Sequence, residues 1–405
     1  MGPKISERAR RLPASPIRRL APVAEAAKRR GTHVYHLNIG QPDIETPRCF
    51  LERLGRLSDR VLAYSPSGGI PEFVEVMRRY YDSCGISLRS EQILVTTGGS
   101  EACLFAFLAC AGDGDDALVM EPYYTNYNAF ATMGGVRLAP LTTRGDQGFH
   151  APPLEEWQRA LTPRTRMVVV CNPSNPTGTV YTRDELERIA GFCREHGLFL
   201  VSDEVYREFV YDGRSATSAL DLEGYEDLVV VADSLSKRYS ACGIRLGTLA
   251  TRNAEVLDAC LRMAQGRLCA PGLAQKIALG ADELEEGFFE GVVAEYQKRR
   301  DVLYEGLSVL DGVFLRRPEG AFYLMPRLPI DDADRFAEWL LAEFQHEGAT
   351  VMVAPAPGFY ASPGLGRDEV RLAYVLNCDD LRAAVSCLGE ALERYPGRRS
   401  RPGAS

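Results

Sequence analysis

From about residue 70, short apolar runs of strand length alternate with stretches of helix length, and this rhythm constrains the fold more than any other feature. The strand-like runs include DALVME, RMVVVC, LFLVSD and DLVVVAD, and the helix-like stretches include SEACLFAFLACAG and TRDELERIAGFCREHG. Continuous β-branched runs are typical of strands buried on both faces, and intervening helices favour parallel pairing. The sequence therefore predicts an α/β fold with a mostly parallel sheet covered by helices.

The regular alternation ends near residue 290, where the sequence predicts a second, smaller unit. A long helical stretch, VVAEYQKRRDVLYEGL, leads into mixed strand and helix patterns that are typical of an α+β domain. The last residues, PGRRSRPGAS, are polar and rich in turn formers. We predict an N-terminal arm, 1–45, that packs with the small domain, a large domain at 46–290, a small domain at 291–395 and a disordered tail at 396–405.

Composition narrows the range of partners. The net charge of −8 disfavours binding to nucleic acid or to an anionic membrane surface. No apolar run is long enough to span a bilayer, and the charged start MGPKISERARRLP does not resemble a secretory signal. The eleven cysteines include no CxxC pair, so neither a disulfide framework nor a structural metal site is expected. We predict a cytoplasmic protein that acts on small molecules.

Ligands of parallel sheets bind at the carboxyl ends of the strands, so the polar residues there are the first candidates for chemistry. Lys237 follows the strand DLVVVAD in the segment SLSKRYSACGIRLG, beside Ser234 and Ser236 and eight residues before Arg245. A lysine at such a position can attack an aldehyde, and an arginine with nearby hydroxyls suits a phosphate. The chain contains only five lysines, so Lys237 has few rivals.

Three other segments place polar groups after apolar strands. In VTTGGSEACLF, a helix starting near Gly99, Ser100 and Glu101 would present free N–H groups to an anion, although an ordinary tight turn explains it equally well. Asp203 ends the strand LFLVSD, where a buried carboxylate needs a partner such as a protonated ring nitrogen, or else caps a helix. The same segment continues to Tyr206, three residues after Asp203, and the third segment, NPSNPTG, offers the amide of Asn175.

Taken together, SLSKxxxxxGxRxG, NPxNPTG and SDEVY resemble the class I and II aminotransferases, a family of fold-type I pyridoxal-phosphate enzymes. The resemblance extends from about Leu37 to Tyr374. It implies a large domain with a sheet of the seven-stranded type, a smaller α+β domain, pyridoxal 5′-phosphate as cofactor and a homodimer. The reaction it implies is transfer of the α-amino group of an L-amino acid to a 2-oxo acid by a ping-pong aldimine–ketimine mechanism.

The resemblance also assigns roles to the residues that bind the cofactor. Lys237 matches the Schiff-base lysine that shuttles the substrate proton, and Asp203 matches the carboxylate that keeps the ring nitrogen protonated. Tyr206 and Asn175 match the groups that hydrogen-bond the ring oxygen. The phosphate ligands it implies are the backbone of Gly99, Ser100 and Glu101, the side chains of Ser234, Ser236 and Arg245, and Tyr64 from the neighbouring subunit.

Further matches concern the ring face and the substrate. Tyr124, in EPYYTNY, falls where the family stacks an aromatic side chain on the cofactor, and many aspartate-type members have tryptophan there. Arg371, Gly40 and Asn175 match contacts to the substrate carboxylate. For a side-chain carboxylate, the candidate cation is Arg267 from the partner subunit, although in so arginine-rich a chain its position can be fortuitous.

The favoured prediction is an aspartate-type aminotransferase, and three alternatives remain. The same cofactor can support γ-elimination, cyclisation or an oxidative step in a specialised pathway, and Tyr124 leaves these reactions open. A transcription regulator with a ligand-sensing aminotransferase-like domain would need a winged-helix segment, for which the roughly 35 residues before the match are too few. A catalytically dead scaffold is disfavoured because each expected cofactor contact is present.

Overall fold

The computed structural model describes residues 2–14, 16 and 18–399. Among these residues the strands are β1 His33–His36, β2 Ile93–Thr96, β3 Asp116–Glu121, β4 Arg137–Thr142, β5 Thr165–Cys171, β6 Phe199–Asp203, β7 Val229–Ser234, β8 Gly247–Thr251, β9 Tyr323–Leu324, β10 Ala349–Met352, β11 Ala354–Pro355 and β12 Val370–Ala373. The α-helices are α1 Glu7–Arg11, α2 Ala21–Arg29, α3 Arg48–Gly55, α4 Pro71–Ser83, α5 Gly99–Cys110, α6 Tyr127–Gly134, α7 Leu154–Ala160, α8 Arg183–His196, α9 Leu235–Arg238, α10 Ala254–Gly266, α11 Gly272–Ala278, α12 Phe288–Ser308, α13 Ala333–Ala342 and α14 Cys378–Arg394. None of these helices has the length and apolar character required to cross a membrane.

Seven strands form the main sheet, in the order β2-β8-β7-β6-β5-β3-β4. The pairs from β7 through β6, β5 and β3 to β4 are parallel, and β8 runs antiparallel to both of its neighbours. This confirms the predicted α/β fold with a mostly parallel sheet. Because β5 is covered on both faces, its alternate residues enter different cores, Val168 and Val170 on one side and Met167 and Val169 on the other.

Local sequence signals account for the ends of several helices. Thr182 caps α8, accepting from the N–H of Glu185, whose carboxylate accepts from the N–H of Thr182 in return. Pro71 occupies the first turn of α4, and Gly85 follows its end with a positive φ of 79°. These ends fix where the chain re-enters the sheet, and hence which residues come to its carboxyl edge.

A second core lies beside the main sheet and joins the two ends of the chain. Strand β1 pairs in parallel with β10, and β11, β12 and β9 form an antiparallel sheet. Helices α2, α12, α13 and α14 contribute buried residues to the same hydrophobic cluster. We propose that this cluster forms the core of the small domain at 291–395 together with the arm at 1–45, and that residues 46–290 form the large domain.

The end of the chain differs from the sequence prediction. Residues 397–399 lie against the small-domain core, where the N–H of Asp331 donates to the Gly397 oxygen over 3.0 Å and the N–H of Arg399 donates to the Pro329 oxygen over 2.9 Å. The prediction of disorder from residue 396 is therefore wrong for these residues, because their backbone has partners that local composition does not reveal. The rest of that predicted tail, 400–405, lies outside the described residues.

Candidate active site

A cavity of about 610 Å³ lies at the carboxyl ends of the parallel strands, between the main sheet and the second core. Such edges are where α/β proteins bind ligands, since helix N-termini and strand-end side chains meet there. The cavity is lined by the predicted residues Gly40, Gly99, Ser100, Tyr124, Asn175, Asp203, Tyr206, Ser234, Ser236, Lys237, Arg245 and Arg371, together with Arg18, Ile39, Gln41, Cys103, Asn126, Val205, Cys242 and Tyr323. Segments far apart in the chain thus converge at one place.

Lys237 lies in the single-turn helix α9, directly after β7. Its half-buried side chain donates a hydrogen bond from Nζ to the carbonyl oxygen of Gly40 over 2.6 Å, and Nζ lies 5.8 Å from the centre of the Phe322 ring. Ser234 caps this turn, since its hydroxyl accepts from the N–H of Ser236. The strand and the cap therefore hold the lysine amine in the cavity, beside a loop from the second core.

One end of the cavity is suited to an anion. Helix α5 begins at Gly99 with its N-terminus toward the cavity, and the buried hydroxyls of Ser234 and Ser236 lie 2.9 Å apart. Arg245 lies so close to the turn before α5 that a Cβ at Gly98 would be 2.7 Å from its Nη2. A guanidinium, two hydroxyls and a helix N-terminus form a phosphate-sized cradle.

Glu101 does not line this cradle, although the sequence analysis grouped it with Gly99 and Ser100. Its N–H donates to the Gly98 oxygen over 3.2 Å, and its carboxylate accepts from the N–H of Thr97 over 2.7 Å. The same carboxylate pairs with Arg267 at 3.0 Å. Glu101 therefore stabilises the turn from outside the cavity, and its backbone N–H already donates to the Gly98 oxygen.

Asp203 is a buried carboxylate at the end of β6. Its Oδ2 accepts from the Tyr127 hydroxyl over 2.7 Å, and the Cys103 thiol lies 3.8 Å away. Burial raises the pKa of Asp203 to about 6, while the hydrogen bond from Tyr127 opposes that rise. Among the described residues no cation pairs with this carboxylate, so a cationic group in the cavity would find it available.

Two further tyrosines, Tyr206 and Tyr323, meet in the cavity. The hydroxyls of Tyr206 and Tyr323 lie 2.8 Å apart, both side chains are buried, and burial raises the pKa of Tyr206 well above its ordinary value. Tyr206 is therefore protonated at neutral pH and can donate a hydrogen bond. Nearby, the half-buried Tyr124 accepts from the amide of Asn126 over 2.7 Å and meets the Tyr127 ring edge-on at 5.5 Å.

Arg371 brings a buried guanidinium to the cavity wall. It is 2% exposed and donates to Asn175 Oδ1 over 2.9 Å and to the Asn38 carbonyl oxygen over 2.6 Å. The ring of Tyr323 lies 4.4 Å from its central carbon. Within the described part of the chain Arg371 pairs with no carboxylate and its Nε has no hydrogen-bond partner, so an incoming anion would neutralise a buried charge.

Two predicted residues lie away from this cavity. Tyr64 is 80% exposed and lines no part of it. Arg267, the predicted cation for a substrate side chain, is held in its own chain by Glu101 and by the Val95 carbonyl oxygen at 2.8 Å. Arg267 thus has a counter-ion that lies 166 positions away in its own chain, and its predicted role toward a substrate in the neighbouring subunit stays a prediction.

Sequence reasoning missed several lining residues that the geometry makes prominent. Tyr323, Cys103, Asn126 and Arg18 belong to no motif, and Tyr127, which bonds Asp203, lies three residues after Tyr124 in the same aromatic segment. That i, i+3 spacing in EPYYTNYNAF was the one local signal that could have placed two tyrosines on one side of a turn. The others depend on contacts between distant segments.

Comparison with known proteins shows which family the sequence and the fold of this chain match. A family model described as aminotransferase class I and II matches residues 32–385, a range that contains all twelve strands. The aspartate/prephenate aminotransferase of Thermus thermophilus is 33% identical over 375 residues, which are 91% of this chain and 93% of that protein. A mutant aspartate aminotransferase structure from the same organism aligns with a TM-score of 0.87 at 31% identity, covering 96% of this chain and 100% of that chain. An alanine aminotransferase from Pyrococcus furiosus has a TM-score of 0.87 at 27% identity, with coverage of 96% and 100%.

Proposed function

This chain belongs to the class I and II aminotransferases, which depend on pyridoxal 5′-phosphate, and we propose that it moves the α-amino group of an aspartate-type L-amino acid to a 2-oxo acid, with Lys237 holding the cofactor. The observation that carries this proposal is a pair of opposite buried charges in one cavity. Asp203 and Arg371 each lack a charged partner among the described residues. A cationic ring nitrogen would neutralise the first, and an amino-acid carboxylate would neutralise the second.

The residues present fit the cofactor. The cradle of Arg245, Ser234, Ser236 and the N-terminus of α5 suits its phosphate, and Asp203 suits its ring nitrogen. Tyr206, which is protonated at neutral pH, can donate to the ring oxygen, and Asn175 lies beside Arg371 where it can assist. Pyridoxal phosphate supplies an aldehyde that condenses with amines and a ring that withdraws electrons from the substrate α-carbon.

Lys237 has two tasks in this proposal. Its Nζ would hold the cofactor, and as a free amine it would accept the α-proton of the substrate and later donate it. The carbonyl oxygen of Gly40, 2.6 Å from Nζ, gives the released amine a hydrogen-bond partner at the cavity wall. Arg371 would fix the substrate carboxylate in the same cavity that Lys237 lines.

The active unit in this proposal is a homodimer. Val61, Leu62 and Tyr64 are at least 70% exposed on one loop, and Leu268 is 52% exposed. Exposed apolar side chains close together on one surface are typical of an interaction site. In a two-fold dimer that buries this loop against the partner, Tyr64 would reach the partner's cavity instead of its own.

We also propose that the protein works in the cytoplasm. All eleven cysteines lie within the described residues, and none forms a disulfide. Free thiols in this number suit a reducing compartment.

The test is a product balance with purified holoenzyme, L-aspartate and 2-oxoglutarate. Transamination forms glutamate and oxaloacetate in equal amounts over many turnovers, and without 2-oxoglutarate at most one oxaloacetate forms per active site. Release of ammonia without glutamate would instead indicate elimination or oxidation and would overturn the proposal. Alanine and phenylalanine as donors measure how strictly the enzyme requires a side-chain carboxylate.

A further inference from the structure

One cation in the active-site cavity has no role in the chemistry described so far. We propose that Arg18, from the N-terminal arm of the same chain, binds the side-chain carboxylate of the substrate and thereby selects dicarboxylic amino acids and 2-oxo acids. Arg18 lines the cavity together with Lys237, Arg245 and Arg371. The inference rests on the proposed function and adds a residue that determines specificity.

Of the four cations that line the cavity, only Arg18 has no assigned partner on the cofactor or the substrate. Arg245 lies in the phosphate cradle, Lys237 binds the cofactor, and Arg371 faces the α-carboxylate. Asp203 is the single carboxylate among the described lining residues, and the ring nitrogen neutralises it. A fourth cation in a cavity with one carboxylate favours a ligand with an additional negative charge.

The arm is held in place on both sides of Arg18. Pro16 packs against Gly358 so closely that a Cβ at Gly358 would lie 2.5 Å from the proline Cγ. Arg19 pairs with Asp334 at 2.5 Å, and the carbonyl oxygen of Arg18 accepts from the N–H of Ala21 over 3.0 Å as α2 begins. The backbone therefore presents Arg18 to the cavity, while its neighbour Arg19 is bound to the small domain.

The Arg18 side chain is exposed, and among the described residues no carboxylate or carbonyl group binds its guanidinium. It is therefore available to a ligand. The sequence-based candidate for this role, Arg267, already has Glu101 as its counter-ion. A guanidinium can grip a carboxylate with two parallel hydrogen bonds, which a lysine cannot reproduce.

The experiment compares holoenzymes of wild type, Arg18→Gln, Arg18→Lys and Arg29→Gln, which is the matched control because it removes an exposed arginine of the same arm that lies outside the cavity. The quantity measured is kcat/KM for L-aspartate divided by kcat/KM for L-alanine, at low and high salt. Removing a charge-assisted contact made only by aspartate lowers this ratio about 10-fold or more in Arg18→Gln. Arg18→Lys keeps the charge and lowers the ratio less than Arg18→Gln does, and Arg29→Gln leaves the ratio within about 2-fold of wild type.

Two readouts separate the outcomes. An unchanged ratio in Arg18→Gln, with wild type still transaminating aspartate, overturns the role of Arg18 and leaves the proposed function intact. Equal losses for aspartate and alanine also overturn it, since they indicate a structural role of the arm. Absence of transamination by wild type with either donor overturns the proposed function itself. Inhibition by succinate is a second check, because Arg18→Gln raises its inhibition constant in parallel with the fall in the ratio.

Discussion

The Nζ of Lys237 donates a hydrogen bond to the carbonyl oxygen of Gly40 over 2.6 Å, which ties the strand-end lysine of the main sheet to a loop that follows β1 of the second core. Gly40 is also in close contact with Tyr323, whose hydroxyl touches that of Tyr206. One short loop therefore positions both the lysine amine and the pair of tyrosines. This arrangement makes the lack of a side chain at position 40 a requirement of the site.

The first prediction is that Gly40→Ala damages the site while the fold survives. A Cβ at this position would lie 1.7 Å from the Tyr323 hydroxyl oxygen, and Tyr323 is too well buried to move freely. We expect kcat/KM for transamination to fall about 10-fold or more, with an altered absorbance of the bound cofactor. Gly291→Ala is the control, because nothing lies within 4 Å of its Cβ position. Equal activities of the two variants would contradict the prediction, because they would show that the loop can move enough to accommodate a Cβ at position 40.

The second prediction concerns the pH dependence of the free energy of unfolding of the apoprotein. Burial raises the pKa of Asp203 from 3.8 to about 6, so the folded state binds its proton more tightly than the unfolded state does. The resulting stabilisation is complete below pH 3.8 and is lost as the pH rises through about 6. Between pH 7 and pH 4.5, wild-type apoprotein should gain about 2 kcal/mol in free energy of unfolding relative to Asp203→Asn.

Urea denaturation of both apoproteins at the two pH values measures this difference, and holoenzyme provides the control. A cationic ring nitrogen beside Asp203 lowers the carboxylate pKa, so the pH-dependent difference should shrink when the cofactor is bound. A difference that is constant with pH would mean that the pKa of Asp203 is not raised in the apoprotein.

Much of this site could be predicted from the sequence, because parallel sheets bring strand-end residues to one edge. Lys237, Asp203 and Arg245 each follow or adjoin an apolar run, so local pattern and motif were enough to place them. The contact of Tyr127 with Asp203 spans 76 residues and that of Tyr206 with Tyr323 spans 117, and no local pattern encodes such pairs.

Two arginines also show that local sequence does not reveal tertiary partners. Arg267 and Arg18 have similar surroundings in the sequence, each near other basic or polar residues in or beside a helix. Their chemical availability depends on tertiary partners, since Glu101 engages the first and the cavity receives the second. The sequence alone offered Arg267 as a candidate and gave no sign of its pairing with Glu101.

The third prediction follows from the proposed dimer. We expect Tyr64→Ala and Lys237→Ala homodimers each to be impaired at limiting cofactor, because each dimer then lacks one component in both of its cavities. Co-expression with two different tags isolates the hybrid dimer, in which one cavity combines an intact lysine with an intact tyrosine. Its activity should be about half that of wild type. Activity no higher than the mean of the two parents would place Tyr64 in its own subunit's site or outside the site altogether.

The most direct measurement of the central claim is reduction of the holoenzyme with borohydride, followed by digestion and mass spectrometry of the lysine-containing peptides. Borohydride fixes the cofactor to whichever lysine holds it. The cofactor should be found on the peptide that contains Lys237, and Lys237→Ala should yield no labelled peptide and no 2-oxo acid from amino donors. Labelling of Lys4, Lys28, Lys276 or Lys298 in the wild-type protein, or catalytic turnover by Lys237→Ala, would contradict the assignment.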